Sequence, residues 1–264
     1  MRDYINLKNL GKSMKEFYNK SPFPYAVIDN FFKPSIANKL EKEFPKYKDK
    51  RLHEYKNYCE VKKTSNNWNF FPPLTYKVFS LLNSNQATKF LSKKLKIPKV
   101  IPDYGLHGGG WHLMHHKGKL NPHLDYFIHP KANLQRKYNL IVFLSKGWKE
   151  NWGGEICFYK KNKKNIKLPG DLTTKIYPKF NRAVFFDVSN HSWHGVLQPK
   201  RKVIRNSMAV YYLINPSKKD LLNRKKVFYA PTNKQKGNKK ILKFIKLRSN
   251  PNTFSNVYKT KKNK

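Results

Sequence analysis

FNRAVFFDVSNHSWHGVLQPKRKVIRNSMAVYYLINP, residues 180 to 216, packs three short β-branched and aromatic runs between turn residues. Residues 182–188, 193–197 and 207–214 each read as a strand on that pattern. Going back toward the N-terminus the same character persists to about residue 101. Further strands are expected at 111–116, 139–145 and 155–159, separated by GGG, KGK, NWGG and LPGD. Six or more short strands at this spacing predict a sandwich or barrel.

The chain before residue 101 has a different texture. Residues 21–47 read as a strand at 25–29 followed by a helix opened by Pro34 and Ser35, with Ile36, Leu40 and Phe44 on one face. Residues 48–73 are polar without a sustained period and read as loop, and a second helix is expected over 74–95. After Pro216 come sixteen basic residues and a single acidic one, Asp220. Such dense like charge predicts a solvated segment, except that KKILKFIKLR can form one apolar face. The expected organisation is therefore an N-terminal helical and entry region at 1–98, a β core at 99–216 and a basic tail at 217–264.

Composition narrows the classes. With 264 residues, 15% of them aromatic, the chain can bury a substantial core. No apolar run approaches the roughly 18 residues of a membrane span, and MRDYINLKNLGK is not a secretory signal, so a soluble, cytoplasmic protein is expected. Cys59 and Cys157 form no CxxC, which argues against a zinc site and a disulfide framework. The formal charge of +41 suggests non-specific binding of polyanions through the surface, yet only eight of the 56 basic residues are Arg. Specific phosphate and base recognition favours the guanidinium, and the Lys, Asn and Tyr excess also fits an AT-rich genome.

The chemistry-bearing residues gather around the strands. In NPHLDYFIHPK, His123 and Asp125 stand two apart beside an expected strand, where side chains i and i+2 share a face, so both can reach one ion. His-x-Asp alone is a weak motif. A third ligand is available at His191 or His194, and the residues leave that choice open. Two His and one carboxylate form the triad that leaves positions free on Fe(II). Arg205, Ser207 and Ala209 share a face of the last strand, and an Arg where the composition supplies Lys suggests that a carboxylate is read by its fork.

These segments together resemble the prolyl 4-hydroxylase-like branch of the 2-oxoglutarate/Fe(II) oxygenases. The resemblance rests on PFPYAVIDNFF, HKGKLNPHLDYFIHP, NLIVFLSKGWKENWGGEICFY, FNRAVFFDVSNHSWHGVLQP and RNSMAVYY in that order, and it covers most of the chain. It implies a mainly β fold with flanking helices, built on a double-stranded β-helix or jelly roll. His123, Asp125 and His194 would be both the catalytic and the metal residues, His194 being favoured over His191 by the family's HG pattern. Arg205, helped by Ser207, would pair with the distal carboxylate of 2-oxoglutarate. The implied cofactors are Fe(II), 2-oxoglutarate and O2, with ascorbate as an optional reductant, and the implied reaction is hydroxylation of an unactivated carbon with release of succinate and CO2. The chain departs from the pattern at Phe143, where several relatives place a Tyr; Asn139, four residues earlier on the same strand face, is the substitute donor expected here. Peptide, amino acid and glycan precursor all remain as substrate classes. Two competing readings are a non-catalytic basic jelly-roll module that holds nucleic acid or another polyanion, and a cupin-like metalloenzyme without 2-oxoglutarate.

Overall fold

The computed structural model describes residues 1–250. Its strands in chain order are β1 (Tyr25–Ile28), β2 (His53–Lys56), β3 (Glu60–Ser65), β4 (Ile101–Pro102), β5 (Gly110–Met114), β6 (Lys119–Leu124), β7 (Gln135–Phe143), β8 (Ile156–Lys161), β9 (Pro169–Ile176), β10 (Ala183–Asp187), β11 (His194–Val196), β12 (Arg205–Ile214) and β13 (Phe228–Tyr229). The helices are α1 (Leu7–Ser13), α2 (Pro34–Lys42), α3 (Pro73–Leu82), α4 (Asn85–Leu95) and α5 (Lys239–Ser249). Among the described residues no helix is long and apolar enough to cross a membrane.

Every strand pair is antiparallel, in the order β1-β10-β7-β12-β5-β3-β6-β11-β8-β9, with β2 on β3, β4 on β12 and β13 on β6. The sheet curls until β7 and β10 face β8 and β9 across Phe143, Phe158, Ile176, Val184 and Phe186. The result is a jelly roll. Alternation then explains the central strands, because both their faces are covered. On β12, Ser207, Ala209 and Tyr211 face inward to a cavity, while Met208, Val210 and Tyr212 join the core beneath the helices. The helices of the first hundred residues close that outer face with Leu40, Val78, Phe79 and Leu91.

Three expectations differ from the structure. The helix anticipated over 74–95 is two helices. Asn83 donates its side-chain amide to Phe79 O (2.9 Å), and Ser84 Oγ accepts the Ala87 N–H (3.2 Å) as the cap of α4. Residues 48–73 are not loop throughout, since they contain β2 and β3. Asn57 Oδ1 accepts the N–H groups of Cys59 and Glu60 in the connecting turn, and β3 then inserts between β5 and β6. Finally, the segment after Pro216 is not solvated along its length. β13 adds to β6, and α5 packs Ile245 against Cys59 and Tyr229. Residues 251–264, the remainder of the expected tail, lie outside the described residues.

Candidate metal centre

β6 and β11 are paired so that His123 and His194 stand directly opposite each other, and Asp125 follows β6 by one residue. Each of the three offers a ligand atom within 4.8 Å of the other two. Asp125 Oδ1 lies 3.7 Å from His123 Nε2, and Oδ2 lies 3.8 Å from His194 Nε2. All three side chains are buried.

The protonation of the site is set by its neighbours. His123 Nδ1 lies 2.9 Å from Asn121 O and His194 Nδ1 lies 2.9 Å from Ser192 O. A carbonyl only accepts, so each Nδ1 carries the proton and each Nε2 turns a lone pair toward Asp125. Burial, reinforced by His194, holds His123 down at about 3, so its ring is neutral at pH 7. Burial alone would raise the Asp125 carboxyl, but His194 and His123 outweigh it and the group lies below its usual range. Its Oδ2 is buried and has no hydrogen-bond partner. Two imidazoles with Nε2 toward one carboxylate, and that carboxylate ionised with an unsatisfied oxygen, are a donor set that fits a divalent transition metal.

The triad lines a cavity of about 510 Å³. Arg205 reaches into the same cavity from the start of β12 and is 4% exposed. Its Nε donates to Gly154 O (2.8 Å), its Nη1 lies 3.5 Å from Ser207 Oγ, and its guanidinium sits 4.6 Å over the Phe143 ring. Burial pulls its pKa down to about 10, so it is a cation at pH 7. The glycine pair of NWGG has a role here beyond turning the chain. Gly154 adopts φ +79°, and a Cβ there would fall 2.7 Å from the Trp148 ring and 3.3 Å from Arg205 Cδ. Only glycine lets its carbonyl approach the guanidinium in this way. Glu155 is half-buried and its charge faces Arg205.

Other expected site residues separate. His191 is exposed and lies outside the cluster. Asn139 lines the cavity, but its register partner is Tyr211, whereas Phe143 is paired with Ser207. Four residues of strand are about 13 Å, so Asn139 does not stand beside Arg205. It stands near Tyr211, whose hydroxyl is pushed up first by burial and then by the Asp125 charge.

One residue that the sequence reading passed over is prominent. Arg136, on β7, is 1% exposed, and its guanidinium is sandwiched between the rings of Tyr126 (3.5 Å) and Tyr211 (3.4 Å). It donates to His107 O and Tyr126 Oη, its Nε has no partner, and its charge acts on Asp125. The scarcity of Arg was the available signal, since the same argument that singled out Arg205 applies to it.

Residues 109–213 match the family model of the 2OG-Fe(II) oxygenase superfamily. Over those residues the barrel is similar to a 2OG-Fe(II) oxygenase domain. Enzymes of the family use Fe(II), 2-oxoglutarate and O2. Solved structures similar to this chain include a prolyl-4-hydroxylase from Pseudomonas putida, with TM-score 0.56 and 14% identity over 79% of this chain and 100% of that one. A prolyl hydroxylase from Trichoplax adhaerens, solved with a hypoxia inducible factor peptide fragment, gives TM-score 0.54 and 14% identity over 78% and 91%. HygX from Streptomyces hygroscopicus, solved with nickel, 2-oxoglutarate and hygromycin B, gives 0.51 and 10% over 75% and 86%. At these identities the likeness concerns the fold. No curated protein matches the chain by sequence.

Proposed function

We propose that this protein hydroxylates an unactivated carbon, with His123, Asp125 and His194 holding Fe(II) and Arg205 receiving the distal carboxylate of 2-oxoglutarate. The observation that carries the assignment is the convergence of two Nε2 lone pairs and an unsatisfied carboxylate oxygen on one point of a cavity that also contains a buried, fixed guanidinium. Fe(II) bound there supplies the redox chemistry that couples decarboxylation of 2-oxoglutarate to C–H oxidation, so that succinate, CO2 and an alcohol leave and each atom of O2 ends in succinate or alcohol.

The chain's own part is placement and exclusion. Asn121 and Ser192 fix the imidazoles through their carbonyls, and Asp125 enters ionised with no proton to lose. Arg205 presents its fork from β12, with Ser207 Oγ beside it as a further donor to the same carboxylate. Phe186 packs against His194 (4.8 Å) and Tyr229 against His123 (5.5 Å), which keeps water from the outer faces of both rings. A substrate would enter from the side of Lys131, Lys225 and Lys226, and peptide, amino acid and glycan precursor all remain within what a cavity of this size admits.

The test is metal binding and turnover together. His123→Ala, Asp125→Ala and His194→Ala should each abolish Fe(II)-dependent release of succinate from 2-oxoglutarate and lose stoichiometric metal, while His191→Ala keeps both. Metal loss in His191→Ala with retention in His194→Ala would reverse the third ligand.

A further inference from the structure

The segment after β12 lies beyond the residues that match the family model, yet its polar contacts go to the ligand residues and to the groups that orient them. Taking His123, Asp125 and His194 as the metal ligands, we infer that residues 224–235 are a built part of the metal centre, with Arg224 and Tyr229 as its positioning residues.

Arg224 spans both ligand-bearing loops. Its Nε donates to the backbone O of Asp125 (2.9 Å), and its own carbonyl accepts the N–H groups of Phe127 (2.9 Å) and Ile128 (3.1 Å), so the turn after β6 is held from two sides. On the other loop its Nη2 donates to Ser189 O (2.9 Å) and its Nη1 to Asn190 Oδ1. Ser189 in turn donates its N–H to Ser192 Oγ (2.8 Å), and Ser192 O is the acceptor that orients His194. A planar fork reaches three acceptors on two loops, and a single ammonium cannot.

The other histidine is held by the same segment. β13 places Tyr229 opposite His123, and the two rings stack at 5.5 Å with 29° between planes. Asn121, whose carbonyl orients His123, donates its side-chain amide to Ala230 O (3.1 Å) and Gln235 Oε1 (2.6 Å). Ala230 N–H returns a bond to Pro122 O (2.8 Å). On the far face of Tyr229 lies the Arg248 guanidinium (4.7 Å), itself fixed to buried Glu60 (2.6 Å). Packing that only covered a hydrophobic surface would touch apolar side chains, whereas here His123 and Asp125 each have a partner in the segment and His194 is reached through Ser189 and Ser192.

Removal of groups that orient metal ligands typically lowers metal affinity about 10- to 100-fold. Co(II), whose visible spectrum reports ligand geometry, is the probe, and the full chain is used throughout. Arg224→Lys and Tyr229→Leu should weaken Co(II) by about 10- to 100-fold and shift its visible bands. Leu222→Ser, whose residue is 90% exposed just ahead of the segment, should bind within about twofold of wild type. Wild-type affinity and spectrum in Arg224→Lys and Tyr229→Leu would overturn the inference, and so would an equal loss in Leu222→Ser, which would mean that the segment acts only through folding. Arg224→Lys keeps charge and bulk and decides alone where Tyr229→Leu does not fold. A wild-type chain without Co(II) affinity overturns the ligand assignment and this inference with it, whereas unchanged variants on a binding wild type overturn this inference alone.

Discussion

Four of the eight arginines, Arg136, Arg205, Arg224 and Arg248, converge on one cavity and its wall, in a chain whose other 48 of 56 basic residues are Lys. Each uses the fork or the flat face of the guanidinium, which an ammonium does not offer. At Arg205 this has a measurable consequence. Arg205→Lys keeps the charge but loses the two-armed contact beside Ser207, so the Kd of 2-oxoglutarate should rise about ten- to a hundredfold, or about 1.5–3 kcal/mol. Calorimetric titration of the metal-loaded protein measures it, and an unchanged Kd would place the carboxylate elsewhere. The sequence could point to His123, Asp125 and Arg205 because each sits on or beside a strand whose alternation is readable, and to His194 over His191 only through the family's HG pattern. It could not point to Arg224, whose acceptors are 99 and 35 positions away and are selected by strand register. Asn139 failed for a related reason: sharing a strand face does not mean sharing a neighbour.

At the level of elements, β3 was illegible because its composition answers to the cavity rather than to a core. Its residues EVKKTS read as polar, and Glu60, Lys62 and Thr64 line the cavity while backbone pairing to β5 and β6 holds the strand. Glu60 is 2% exposed and pairs with Arg248 (2.6 Å) and Lys62 (3.2 Å). Burial alone would raise its carboxyl, but Lys62 and Arg248 bring it down from 4.5 to about 2. A group depressed in the folded state contributes stability above its unfolded pKa, and that contribution is lost as pH falls from about 4.5 toward 2. At about 1.4 kcal/mol per pH unit it amounts to roughly 3 kcal/mol. Glu60→Gln should therefore lower stability at pH 7 and flatten its decline below pH 5, as read from urea melts at a series of pH values. Parallel acid limbs in wild type and variant would show that Glu60 does not carry this dependence.

Over the whole molecule, the jelly roll was readable because its strands are short, apolar and evenly punctuated, whereas its closing pieces were not, because β3 and β13 owe their conformation to partners far along the chain and β2 is held by its hairpin with β3. Three strands, β6, β11 and β13, meet at the candidate metal centre. A metal there ties them together and binds only the folded state. At a free metal concentration a hundred times Kd it should add about 2.7 kcal/mol, and a chelator should remove that increment as a fall in Tm. A chelator-independent Tm in a protein that demonstrably binds metal would show that the site is equally formed without it.

The ion pair between Glu60 and Arg248 also sets a clock. The two residues are 188 positions apart, and at synthesis rates of about 5–20 residues per second the second follows the first by roughly 10–40 s. Only after β11 ends at Val196 does the nascent barrel hold both ligand-bearing strands, and the 52 residues from there to Arg248 take about 3–10 s more, during which the wall that shuts over them is missing. The enclosure of the site therefore waits until almost all of the described chain has been made.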